Sequence, residues 1–189
     1  AEYVGAKANI FTHQAAGDIA VFNADNEETC AFAREASASV RMFSRQGTVE
    51  RGTYLGPDYP GGQAIWIANE KGRRCVLPLA DIKLPGIHNV ENYMAAIAAV
   101  DGLVPYEVIR EFAGNFGGVE HRIELIRELD GVRYYNDSIA SSPSRTIAGL
   151  RSFPEKLVLI AGGKDKGISY DALGPEVNEH VKLLILCGA

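Results

Sequence analysis

The sequence predicts an α/β chain in two parts, and three observations carry that prediction. Short apolar segments such as "DIAVFNADN" and "QAIWIANE" run into polar or Gly-rich turns and read as strands. Segments with apolar residues three and four apart, above all "HNVENYMAAIAAVDGL", read as helices. With helix before it and strands after it, "GNFGG" sets three glycines within five residues, which marks a boundary near Gly118. The expected parts are therefore residues 1–118 and 119–189.

In chain order, Tyr3, Ala6, Lys7 and Ile10 fall at helical spacing, so residues 1–11 form a helix. "DIAVFNADN" is a short buried strand and "EETCAFAREA" a helix. "SASVRMFSR", "VERGTYLG", "QAIWIANE" and "RRCVLPLA" follow one another across Gly-rich or charged turns and suggest an antiparallel meander. The helix at "HNVENYMAAIAAVDGL" has His88 or Asn89 near its N-cap and Gly102 near its end. Pro105 suits the first turn of the next helix, "PYEVIREFAGNF". Beyond the boundary, "RIELIREL" and "VRYYND" flank Asp130-Gly131, a strong hairpin signal. "SPSRTIAGLRSF" and "SYDALGPEVNEH" read as helices alternating with buried strands "KLVLIAGG" and "VKLLILCG", the pattern of a parallel, doubly wound sheet.

Composition narrows the function classes. Of the 189 residues, 47% are hydrophobic and 23% charged, which is ordinary globular material. A net charge of −5 argues against a nucleic-acid partner, whose footprint is a basic patch. Cys30, Cys75 and Cys187 lie far apart with no metal-ligand spacing, as expected of reduced thiols in a cytoplasmic protein. The runs "MAAIAAV" and "VKLLILC" are too short to span a bilayer, and no signal peptide opens the chain, so no membrane insertion is expected. There is no initiator Met and the last residues read as a strand entering a loop, so a piece of a longer protein is expected.

Several polar groups sit where α/β proteins place ligands. The run "VRYYNDSIASSP" ends a strand on Asn136, Asp137 and Ser138, with a proline opening a helix soon after. Asn89 and Asn92 share a face at the start of a helix; capping by Asn89 with a solvated Asn92 is the preferred reading on spacing alone, and contact with a nucleotide is the other. His121-Arg122 follows the boundary, where Arg122 is either a solvated charge or a phosphate fork. "AGGKDKGISY" is either a polar turn or an anion site. It is not a nucleoside-triphosphate loop of the Gly-Lys-Ser/Thr type, because Asp165 follows Gly163-Lys164, and no such loop occurs in the chain.

The succession "YVGAKANIF", "VFNADN", "LPGIHNVENYMAAI", "GVEHRIELI", "GVRYYNDSIASSP" and "LIAGGKDKG" resembles the Mur ligase family along the whole chain, in its D-glutamate-adding branch. The resemblance implies the later part of a central ATPase domain containing the β meander, then an incomplete Rossmann-like C-terminal domain. It implies an ATP- and magnesium-dependent ligase that adds D-glutamate to UDP-N-acetylmuramoyl-L-alanine through an acyl phosphate, working as a cytoplasmic monomer. Lys7 matches the lysine that the family carbamoylates into a magnesium ligand. Asn89 and Asn92 match residues on the adenine side, and Arg122 and Asp137 match contacts to the nucleotide. Lys166 matches a lysine that binds the D-glutamate carboxylate, with Ser141 in the place of a nearby hydroxyl residue.

This chain departs from that pattern at Ile139, where the common motif has a lysine. The phosphate-binding loop and the His and Glu that complete the magnesium site also have no match in it, and would lie before Ala1. Another amino-acid-adding ligase of the same architecture, such as a different Mur ligase or a folylpolyglutamate synthase, is the alternative enzyme. A non-catalytic nucleotide-binding module is the alternative outside enzymes. A dehydrogenase is disfavoured by the lack of a Gly-x-Gly-x-x-Gly turn.

Overall fold

The computed structural model describes residues 2–58, 61–164 and 167–188. They fall into two compact units, Ala1–Lys83 with Asn89–Asn115, and Leu84–His88 with Phe116–Ala189.

The first unit opens with helix α1 (Glu2–Thr12), strand β1 (Ile19–Asn23) and helix α2 (Glu27–Glu35). Asn26 caps α2, its Oδ1 accepting from the Thr29 amide at 3.0 Å. Then come β2 (Ser39–Ser44), β3 (Gly52–Pro57), β4 (Gln63–Asn69) and β5 (Gly72–Pro78), a 3-10 turn at Leu79–Asp81, and helices α3 (Ile87–Val100) and α4 (Tyr106–Asn115). The strands form one sheet in the order β1-β2-β3-β4-β5.

Only β3, β4 and β5 make the antiparallel meander that the sequence suggests. Strand β2 lies parallel to both β1 and β3. A parallel return normally needs a long crossover. Here β2 and β3 share only three residue pairs, Met42 to Ser44 with Gly52 to Tyr54, so a short loop covers the distance back. Turn signals and apolar runs carry no information about so small an overlap.

The main core lies between this sheet and the two later helices. Ile65, Ile67, Val76 and Leu77 pack with Val90, Tyr93, Met94 and Ile97 of α3 and Ile109 and Ala113 of α4. Phe11, Ala20, Phe22 and Ala38 form a second cluster around β1, α1 and α2. Arg41 ties down the end of α3, its Nη1 donating to the carbonyls of Ala98 at 2.6 Å and Asp101 at 3.3 Å.

Among the described residues one polar side chain is fully enclosed in the core: Thr53 donates from Oγ1 to the Met94 carbonyl at 2.9 Å. Thr53→Val keeps the shape and removes that bond, so a loss of about 1 kcal/mol is expected. Urea unfolding midpoints at unchanged slope would measure it.

The second unit contains β6 (Glu124–Leu129), β7 (Val132–Asn136), helix α5 (Pro143–Leu150), β8 (Leu157–Gly162), helix α6 (Leu173–His180) and β9 (Val181–Cys187). Asp130 at φ 52° and Gly131 at φ 77° make the β6–β7 turn, as expected of a two-residue hairpin with both centres left-handed. Strands β8 and β9 pair in parallel around α6. The described strands thus form two separate two-stranded sheets in this unit instead of one wound sheet.

Nor are β8 and β9 buried, as their composition suggests. Ile160 is 67% exposed and Leu186 74%. A continuous apolar strand is built to be covered on both faces. A sheet of two strands beside two short helices does not supply that cover.

Candidate functional site

The polar cluster anticipated at the end of β7 is held by an unusual stretch of backbone. The hairpin register sets Glu124 opposite Asn136, which brings residues 121–123 beside residues 136–139. His121 has φ 63° and Ile123 φ 46°. Left-handed backbone at a β-branched residue is an outlier that its surroundings must enforce, and such outliers gather at functional sites.

The enforcing contacts can be named. Ile123 donates its amide to Asp137 Oδ1 at 3.2 Å. The His121 carbonyl accepts the Ile139 amide at 3.3 Å, and the His121 amide donates to Glu124 Oε2 at 2.8 Å. Asn136 Nδ2 lies 2.7 Å from His121 Nδ1, while its Oδ1 accepts the Ser138 amide at 3.1 Å. With the Asn136 amide as donor, that ring nitrogen is the unprotonated one. The strained segment and the loop after β7 therefore clasp each other, and Arg122 is carried on the clasp.

Asp137 is partly buried, and burial pushes its carboxyl above the ordinary carboxylate range. The Ile123 amide, the His88 ring when protonated, and the positive charges of Arg122 and Arg145 oppose the shift without cancelling it. A Cβ on Gly149 of α5 would stand 3.0 Å from Asp137 Oδ2, so the carboxylate rests against a helix surface that lacks a side chain. A glycine inside a helix costs stability relative to alanine. Its place under Asp137 is the compensating reason.

Helix α5 starts as the sequence suggests, with Pro143 in the first turn, and Ser142 stands at its N-cap. Ser141 is exposed just before the cap, its amide donating to the Ile139 carbonyl at 2.8 Å. Lys166 lies outside the described residues.

In the first unit, Asn89 is not the cap of α3. The helix starts at Ile87, immediately after Gly86 turns the chain at φ 97°, and Asn89 is its third residue with a buried side chain. Exposed Asn92 lies one turn on, its Nδ2 3.4 Å from Asn89 Oδ1. Lys7 is exposed on α1, with Nζ 5.4 Å from the centre of the Tyr3 ring. Among the described residues no group of three His, Cys, Asp or Glu is placed to hold a metal. A magnesium ion needs six oxygen ligands, and Lys7 as a carbamate would be one of them. The described residues do not by themselves make that site.

The structure thus brings Arg122, Asp137 and Ser141 into one neighbourhood of the second unit, while Asn89 and Asn92 share one face of α3 in the first. Ile123, Gly149 and Arg145 were not anticipated as parts of the site. Gly149 in mid-helix was the one readable signal among them.

Residues 1–100 match the Mur ligase middle domain. The chain belongs to the Mur ligase family. Along 99% of its length it is 52% identical to the UDP-N-acetylmuramoylalanine--D-glutamate ligase of Acetivibrio thermocellus, and along its full length 50% identical to that of Ruminiclostridium cellulolyticum. It spans 39% of the length of each. Among solved structures, 98% of this Mur ligase chain superposes on 42% of the UDP-N-acetylmuramoylalanyl-D-glutamyl-2,6-diaminopimelate--D-alanyl-D-alanyl ligase of Acinetobacter baumannii, at TM-score 0.70 and 22% identity. Mycobacterium tuberculosis folylpolyglutamate synthase complexed with ADP matches 98% of the chain with 42% of its own, at TM-score 0.69 and 17% identity. At these identities the structural likeness establishes the α/β fold alone. No helix among the described residues is long and apolar enough to cross a membrane.

Proposed function

We propose that this chain is part of an ATP-dependent ligase that joins D-glutamate to UDP-N-acetylmuramoyl-L-alanine during peptidoglycan precursor synthesis. The observation that carries this reading is about 50% identity, sustained along the whole chain, to ligases named for that reaction. The strained clasp around Asp137 supports it, because backbone strain is kept where positioning matters. In this reading residues 1–118 come from the central domain and 119–189 from the C-terminal domain. The protein is a cytoplasmic monomer with small-molecule partners, without nucleic acid or membrane insertion.

The reaction has two steps. The L-alanine carboxylate takes the terminal phosphoryl group of ATP, giving an acyl phosphate and ADP. The amine of D-glutamate then attacks the acyl carbon, forming the amide and releasing phosphate and a proton. Both steps depend on positioning and on stabilising phosphoryl charge.

Asn89 and Asn92 offer amides to the adenine side. Arg122 offers a planar fork suited to phosphate oxygens, and Asp137 a carboxylate that accepts from nucleotide hydroxyls. Lys166 and the Ser141 hydroxyl take the D-glutamate side. Magnesium, with a carbamoylated Lys7 among its ligands, would neutralise phosphate charge when bound.

The test is phosphate release by the full-length protein supplied with ATP, UDP-N-acetylmuramoyl-L-alanine and one of several amino acids. Release that requires D-glutamate supports the reading. Release driven equally by L-glutamate or by a diamino acid overturns it. The 189-residue chain, with no phosphate-binding loop in its sequence, is expected to release none.

A further inference from the structure

Over the loop after β7 reaches a cation to which the proposed roles give no task. Arg145, in the first turn of α5, folds back over the loop so that its Nη1 donates to the Ile139 carbonyl at 3.3 Å. It is exposed, and among the described residues no carboxylate lies within 4.0 Å of it. A guanidinium has five N–H donors in one plane. One is engaged here, which fixes the fork over residue 139 and leaves the rest for a ligand. The hydroxyls of Ser142 and Ser144 lie 3.2 Å apart at the same helix start. Residue 139 itself is an isoleucine and brings no charge to the loop.

We propose that Arg145 binds a carboxylate of the incoming amino acid, supplying from α5 the positive charge that residue 139 lacks. This rests on the ligase reading and adds a residue that sets the choice of an acidic amino acid. A dicarboxylate gains from a planar fork in a way that a neutral amino acid does not. The backbone carbonyl of Ile139 serves as the rest that holds the fork in place. The alternative task, pairing with Asp137, does not fit: the two charges influence each other, but their side chains do not come within ion-pair distance.

Steady-state kinetics of the full-length protein would decide this, with ATP and D-glutamate varied separately. Arg145→Ala is expected to raise KM for D-glutamate about tenfold, the loss of one charge-assisted hydrogen bond, with KM for ATP changed less than about twofold. Arg145→Lys should fall between the two. Adding Ile139→Lys to Arg145→Ala should recover much of the loss, because the new ammonium group rises from the same part of the loop. A merely structural arginine would raise both constants or lower kcat, and a lysine at 139 would not repair it. An unchanged KM for D-glutamate, an equal rise for ATP, or no rescue would each overturn the assignment of Arg145. A wild-type protein with no D-glutamate dependence would overturn the ligase reading itself, so the two failures are distinguishable.

Discussion

If the proposed ligase reading holds, Asp137→Asn in the full-length protein is expected to lower kcat/KM for ATP about ten- to hundredfold, the loss of charge-assisted hydrogen bonds worth about 1.5–3 kcal/mol. The variant should nonetheless be no less stable at neutral pH. Burial raises the Asp137 pKa, so between its ordinary and folded values the native state holds a proton that the unfolded chain has released. Stability from this group is therefore greatest at low pH and is lost as pH rises through the folded value. At neutral pH the half-buried charge is a cost of the fold. The asparagine amide removes that charge and keeps an oxygen that can accept the Ile123 amide, which Asp137 now accepts at 3.2 Å. The pair of measurements is ATP kinetics, together with thermal midpoints from pH 4 to pH 8. A variant that is slower but equally stable would mark Asp137 as a functional group maintained against a cost. One that unfolds would make it structural.

Local chemistry in the sequence predicted the structure well wherever one or two residues dictate a conformation. Asp130-Gly131 can hardly make anything but a tight hairpin turn, and does. Pro143 stands in the first turn of α5, and the three- and four-residue spacing of Val90, Met94 and Ile97 buries one side of α3. Longer-range facts were not legible. The parallel seat of β2 depends on a three-residue overlap, and the exposure of β8 and β9 depends on what covers them. Asn89 has good capping chemistry but lies inside the helix, because Gly86 starts the turn earlier. In the candidate site, the type and order of Asp137 and Arg122 are what single them out, and the structure sets them side by side on the clasp. Ile123, Gly149 and Arg145 act through a backbone amide, a missing Cβ and a reach back over a carbonyl, none of which a residue name reveals.

Gly52→Ala is expected to be the most damaging single methyl in the first unit. Gly52 pairs with Met42 of β2 on one side and Ala68 of β4 on the other, at φ 126°. A Cβ built there would stand 1.9 Å from the Met42 carbonyl oxygen and 2.7 Å from its nitrogen. Both are backbone atoms inside the sheet, so no side chain can swing away to make room. The strained φ costs about 1–3 kcal/mol and the overlap a similar amount, against a total domain stability of about 5–15 kcal/mol. A loss of about 3–5 kcal/mol should therefore leave the unit marginal or unfolded. Gly17→Ala is the control, because its Cβ would meet nothing within 4 Å. It should shift stability by no more than about 0.5 kcal/mol. Trp66, the single tryptophan, pairs with Tyr54 two residues beyond Gly52 and reports on this part of the sheet by fluorescence. Urea titrations of the three proteins would separate the cases. A Gly52→Ala midpoint equal to that of the wild type would mean that β3 does not pass so close to Met42, and the parallel seat of β2 would have to be redrawn.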